Sequence, residues 1–284
     1  MGWPMFYPET LELRLLLGLV LGGCVGGVGV WRRWLRRDGG VAATLVGATV
    51  FTFGGWGWAV LLVLFFVASS LLSKYGAARK EIAVSRVTKG GPRDAAQVLA
   101  NGGWLALLAL WQAYQPAPWV PLAAIGALAA VTADTWSTEL GLLSPTPPRL
   151  ITSGRTVPPG TNGGITLLGL LGAATGASLM GFVAGLLVLV GSVPADLSPG
   201  RLAAVTVASG LVGTGVDSLL GATLQAVRWC PLCQEETEQD PHTCGTATHA
   251  LRGWPWLDND VVNAVSSVAG SFAAVLLALL VGLL

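Results

Sequence analysis

Residues 41–72 read VAATLVGATVFTFGGWGWAVLLVLFFVASSLL, and how this stretch is divided decides the fold. It is too long for one crossing, because a helix rising 1.5 Å per residue covers a hydrocarbon core of about 30 Å with about 20 residues. At its middle, FTFGGWGW (51–58) supplies glycines for a turn and aromatic rings for a membrane interface. The stretch is therefore expected to form two short helices folded into a hairpin. Further apolar runs lie near 11–30, 95–115, 119–142, 163–191, 201–227 and 261–284. Together they predict an all-α, polytopic integral membrane bundle of about eight transmembrane helices.

Composition agrees with that class. Of the 284 residues, 53% are hydrophobic and only 11% charged, against roughly 25% charged in soluble domains. No boundary, repeat, heptad pattern or low-complexity tail divides the chain, so 1–284 is expected to be one multi-pass membrane domain. The first apolar run has no basic segment before it and no small-residue cleavage site, and is expected to be a retained helix. Polar loops at 31–40, 73–94, 143–162 and 228–260 then fall on one side and carry 14 of the 16 Lys and Arg residues, Arg14 and Arg201 being the exceptions. By the positive-inside rule this side is cytoplasmic and both termini are opposite. A net charge of +1 gives no argument for nucleic acid. The cluster Arg32, Arg33, Arg36 and Arg37 suits anionic headgroups of membrane lipids, or fixes topology.

Glycine is patterned. Gly18, Gly22 and Gly26 recur every fourth residue in the first helix, a spacing that lets helix backbones approach closely in lipid. In the seventh helix Asp217 falls midway between Gly213 and Gly221, with Gln225 beyond, so the face opened by small residues also carries polar groups.

Carboxylates inside a spanning run need a reason, since an Asp near the bilayer centre costs roughly 2.5–3.5 kcal/mol on insertion scales. ADTWSTELG (133–141) contains Asp134 and Glu139, about 140° apart on a regular helix, flanking one polar face with Thr135 and Thr138. Carboxylates with hydroxyls suit Mg²⁺, a hard ion that takes one or two carboxylates plus substrate phosphates. The alternative is that they cap the helix or pair with loop arginines.

Two glycine-containing loops could meet phosphate. SRVTKGGPRDAAQVLANGG (85–103) sets Lys89, Gly90, Gly91, Arg93 and Asp94 directly before a helix, where exposed amides and the helix dipole favour anions. Gln97 and Asn101 follow at i and i+4 on one face. TSGRTVPPGTNGGIT (152–166) offers Arg155, Thr161, Asn162, Gly163 and Gly164 before the sixth helix, where Thr161 or Asn162 could equally be an N-cap. In LDNDVVNAVSS (257–267), Asp258 or Asn259 reads as the N-cap of the last helix, while Asn263 and Ser267 continue a polar face into the membrane.

Cys230, Cys233 and Cys244 share one loop with His242 and His249. Cys-x-x-Cys followed by His242 and Cys244 offers the ligands of a structural Zn²⁺ site, and reduced free cysteines are the alternative reading. A disulfide is not expected in a reducing compartment.

The segments KGGPRDAAQVLANGG, ADTWSTELG, the TNGG loop, DSLLGATLQ and LDNDVVN, taken in order across nearly the whole chain, resemble the motifs of the membrane family known as domain of unknown function 92, which includes transmembrane protein 19 and the plant phytyl-phosphate kinase. The resemblance implies a CTP-dependent kinase, with CTP or another nucleotide as donor, converting a prenyl monophosphate such as phytyl or geranylgeranyl phosphate to its diphosphate. Phosphoryl transfer needs positioning, cation clamps and Mg²⁺ more than covalent chemistry. Asp134, Glu139 and Asp217 are then expected as catalytic groups, and those three with Asp260 as Mg²⁺ ligands. Lys89, Gly90, Gly91, Arg93, Asp94, Asn101, Arg155, Thr161, Asn162, Gly163, Asn259 and Asn263 are expected at nucleotide or phosphate. Two other classes use similar residues. A secondary transporter or flippase would move protons or cations on the carboxylates, although the polar motifs gather toward one face and no inverted repeat is evident. A membrane cytidylyltransferase could use the same Mg²⁺ and phosphate groups.

Overall fold

The structure, a computed structural model, describes residues 8–76, 91–193, 198–282 and 284. The described residues form α1 (Leu11–Trp31), α2 (Arg37–Thr49), α3 (Gly55–Lys74), α4 (Ala95–Tyr114), α5 (Trp119–Gly141), α6 (Leu167–Leu189), α7 (Pro199–Thr223) and α8 (Asn259–Leu280). Two small antiparallel sheets lie in the connections. One pairs β1 (Arg149–Leu150) with β2 (Gly164–Ile165); the other places β3 (Val227–Cys230) between β4 (Glu235–Thr237) and β5 (His249–Arg252).

The hairpin expected within 41–72 is present. Val50–Gly54 widen into a π turn, and Gly55 at φ 83° takes a backbone conformation that side chains disfavour, so the helix breaks there. At the open end the rings of Trp34 and Phe66 meet edge to face at 5.8 Å. Lys74 Nζ also donates to the Arg32 carbonyl at 2.6 Å, so both arms return to one side of the bundle.

Helix count and crossing count differ. Six helical stretches among the described residues are long and apolar enough to cross a membrane, and Arg37–Lys74 counts as one of them at 38 residues. With 13 residues, α2 spans about 20 Å and is too short to cross alone. The 20-residue α4 falls outside the six because Gln97, Asn101 and Gln112 interrupt its apolar surface.

The bundle is built around α5. Val120 through Ala133 are buried without interruption, the pattern of a helix enclosed on all sides. Helices α3, α4, α6, α7 and α8 all pack against it. Small residues permit this crowding: a Cβ on Gly213 would lie 2.4 Å from the Ala130 Cβ, and one on Gly126 would lie 2.5 Å from the Gly270 carbonyl oxygen. The glycine ladder of α1 serves the same purpose against α2, where a Cβ on Gly22 would come within 2.7 Å of the Thr44 carbonyl oxygen.

Caps set the helix ends near the polar side. Asp94 and Gln97 form a capping box at the start of α4. Asp258 caps α8 by accepting from the Val261 amide at 3.0 Å. For α6 the cap is Thr166, not Thr161 or Asn162, because Gly164 and Ile165 are held in β2 by pairing with Leu150 and Arg149.

Candidate functional site

The last two turns of α5 emerge from the packed core, and they carry ADTWSTELG. Asp134 there hydrogen-bonds, carboxyl to carboxyl, with Asp217 on α7. Register explains the meeting. Gly213 abuts Ala130, and one turn further along each helix toward the polar end stand Asp217 and Asp134. Two carboxyls at that separation share a proton or a cation, because two bare negative charges repel strongly where water is scarce. Ser266 Oγ donates to the Gly213 carbonyl at 3.0 Å, which puts Asn263, one turn nearer the loops, at the level of Asp217.

Three buried oxygens in this region make no hydrogen bond among the described residues: Asp217 Oδ2, Thr214 Oγ1 and Ser267 Oγ. Orphaned buried oxygens are costly and call for a partner. Together with Asp134 they are hard oxygen donors of the kind Mg²⁺ takes, so the residues fit that ion.

Glu139 lies on the other flank of the polar face. Its charge acts on Arg93, which precedes α4. Burial pulls the Arg93 guanidinium below its ordinary value, and Glu139 opposes that shift. Arg93 is held from several sides. Its backbone amide donates to the Trp34 carbonyl at 3.0 Å, its carbonyl accepts from Arg36 at 2.8 Å, and one guanidinium nitrogen donates to Ser70 Oγ at 2.9 Å.

Arg93 also reaches a partly open cavity of about 360 Å³ lined by α1, α2, α3 and α4. Leu21, Val46, Val60, Val63 and Phe66 are among its apolar walls, and Arg93, Gln97 and Asn101 are its charged and amide groups. Asn101 Nδ2 donates to the Gln97 carbonyl at 2.8 Å.

The remaining sequence candidates are distributed unevenly. Lys89 and Gly90 lie outside the described residues. Gly91 is exposed at φ 103° where the chain turns into Arg93. The Asp94 side chain accepts from the Gln97 amide at 3.0 Å and so caps α4. Arg155 stays exposed on the loop between β1 and β2, and the Thr161 hydroxyl donates to the Pro158 carbonyl. Gly163, at φ 74°, lets that loop approach α7 so closely that a Cβ would sit 2.4 Å from Ala222. Asn259 and Asp260 form the first turn of α8, at the same end of the bundle.

One participant, Glu238, carries no signal in the sequence. Asn162 Nδ2 and Gln225 Nε2 both donate to Glu238 Oε1, each at 2.6 Å. Glu238 itself is 76 residues from Asn162 in sequence, and no local pattern marks that contact.

Beside Glu238, Cys230, Cys233, His242 and Cys244 bring their ligand atoms within 4.8 Å of one another. The Cys244 thiol is drawn down to about 6, first by the Thr246 hydroxyl and then by His242, while its hydrogen bond to Cys233 pushes that thiol up to about 12.

Comparison with known proteins rests on nearly this whole arrangement. The family profile described as integral membrane protein DUF92 matches residues 20–271. The chain belongs to the DUF92 family. Among its relatives is Protein PGR of Arabidopsis thaliana, 32% identical over 281 residues, covering 92% of this chain and 95% of the relative. Uncharacterized membrane protein MJ0933 of Methanocaldococcus jannaschii is 33% identical over 218 residues, 76% of this chain and 85% of the relative. Protein VTE6, chloroplastic, of Arabidopsis thaliana is 26% identical over 249 residues, 86% of this chain and 65% of the relative. No solved structure matches the chain. This DUF92 member is thus an integral, multi-pass membrane protein.

Proposed function

We propose that this DUF92 protein is a prenyl-phosphate kinase that transfers the γ-phosphoryl group of CTP, or of another nucleoside triphosphate, to an isoprenoid monophosphate such as phytyl or geranylgeranyl phosphate. The observation that carries the reading is the position of Arg93. It stands between an apolar cavity suited to an isoprenoid tail and Glu139, on the helix that presents Asp134 to Asp217.

In this reading the tail occupies the cavity and Arg93 holds the monophosphate at its mouth, helped by the amides of Gln97 and Asn101. A guanidinium matches phosphate by charge and by paired donors. A terminal oxygen of the prenyl phosphate attacks the γ-phosphorus, the bond to the β-γ bridging oxygen breaks, and the nucleoside diphosphate leaves. Asp134 and Asp217, with Thr214 and Ser267 nearby, would hold Mg²⁺, which supplies charge neutralisation on the phosphates when bound. Asn162, Asn263 and the first turn of α8 offer polar groups for the nucleotide at the same end of the bundle. In this reading that end faces the cytoplasm, an orientation supported by the basic residues of its loops under the positive-inside rule.

The test incubates purified protein with γ-labelled CTP or ATP, Mg²⁺ and phytyl or geranylgeranyl phosphate, and looks for labelled prenyl diphosphate. Labelled product that requires Asp134 supports the kinase. If no nucleotide yields product, while proteoliposomes show proton-coupled uptake that Asp134→Asn abolishes, the protein is a transporter instead.

A further inference from the structure

The polar module between α7 and α8 has a geometry of its own. β3 ends at Cys230, which is fully buried, and the chain turns through Cys233 before returning as β4. In that turn the Cys233 amide points at Cys230 Sγ at 3.5 Å, and the Gln234 amide donates to the Cys230 carbonyl at 2.9 Å. Gln234 takes φ 54°, an uncommon conformation for a side chain of its size. A turn that aims a backbone amide at a cysteine sulfur stabilises a thiolate there, since hydrogen bonds to a charged acceptor are the strong ones.

A second turn faces the first. The Gly245 amide donates to the His242 carbonyl at 2.8 Å, and Gly245 sits at φ 81°. This brings Cys244 Sγ to 3.6 Å from Cys230 Sγ, and His242 Nδ1 to 3.2 Å from Cys244 Sγ. Zn–S bonds of about 2.3 Å in a tetrahedron give S···S edges of about 3.8 Å. The four ligand atoms, all within 4.8 Å of one another, have the size of that shell.

The histidine is oriented as a ligand. His242 is buried, and its Nε2 lies 3.3 Å from Glu235 Oε1. A carboxylate that accepts a hydrogen bond from Nε2–H fixes the tautomer in which Nδ1, the nitrogen facing the cysteines, keeps its lone pair for a metal. That is the arrangement in which zinc-binding histidines are held.

We propose that Cys230, Cys233, His242 and Cys244 bind one structural Zn²⁺ ion, closing the two turns into a module that holds Glu238 against Asn162 and Gln225. Glu238 follows β4 directly, and its two contacts tie the loop between β1 and β2 to the end of α7. The proposal is independent of the kinase reading.

The test is metal analysis of the full-length protein purified in detergent under reducing conditions. About one zinc per chain is expected, retained in Cys24→Ser and lost in Cys233→Ser and Cys244→Ser. Should those variants fail to fold, Cys24→Ser decides: titration with a mercurial should release one zinc as its three remaining thiols are modified. Hydrogen exchange at residues 162–164 should accelerate once the metal is removed. Substoichiometric zinc after loading, zinc unchanged in the cysteine variants, or a Cys230–Cys244 disulfide in the reduced preparation would each overturn the proposal.

Discussion

Asp134 on α5 and Asp217 on α7 hydrogen-bond to each other, although 83 residues separate them, because Gly213 packs directly on Ala130 one turn below. This pairing makes the two acids a unit. Asp134→Asn and Asp217→Asn should each lower phosphoryl transfer by on the order of 10²-fold or more, with the thermal midpoint in detergent little changed, since the amide keeps the shape and can still hydrogen-bond. Transfer within threefold of wild type in both variants would remove the pair from the mechanism.

Arg93→Lys separates charge from shape. The lysine keeps one positive charge but loses the planar fork, so KM for the prenyl phosphate should rise about tenfold with a smaller change in kcat. Steady-state kinetics at varied lipid concentration read this directly. A fall in kcat at constant KM would instead put Arg93 on the transferring phosphoryl group.

Filling the cavity should change chain-length preference. Ala59 is one of its walls, and Ala59→Phe would occupy part of the volume without altering any polar group. Product formation with a twenty-carbon prenyl phosphate should fall relative to a ten-carbon one. An unchanged length profile would mean that the tail binds elsewhere.

The contact between α1 and α2 offers a paired stability test. Gly22→Leu forces a side chain onto the Thr44 carbonyl and should cost about 1–3 kcal/mol. Gly23→Ala meets nothing within 4 Å and should be neutral, or stabilising by up to about 1 kcal/mol through its better helix propensity. Thermal unfolding in one detergent compares the two. Equal effects would show that α1 does not pack through its glycine face.

Much of the fold was legible because lipid imposes simple rules on sequence. Length and apolarity mark the helices, FTFGGWGW marks the hairpin, and the Gly18, Gly22 and Gly26 spacing marks a close helix contact, whose partner α2 is identified by the structure. At the start of α6 the sequence leaves Thr161 and Asn162 open between a cap and a phosphate contact; the cap is Thr166, because a two-residue strand pairing with Arg149 and Leu150 claims Gly164 and Ile165 first. Asp94 carries a local signal too: Asp-Ala-Ala-Gln has the spacing of a capping box, and the side chain caps α4. Of the site, the carboxylates were visible as costly residues in an apolar run. That Asp134 meets Asp217, while Glu139 turns to Arg93, needed the register of three helices.

The crowding around α5 has a consequence for the chemistry that neither acid reveals alone. A helix pair normally keeps its axes apart by the width of interposed side chains, but α5 and α7 meet at Gly213 and Ala130, where almost nothing intervenes. The distance between Asp134 and Asp217 is therefore not adjusted at the acids themselves. It is set a turn away by the side chain that Gly213 lacks, so that a single methyl group there would move two charges it never touches.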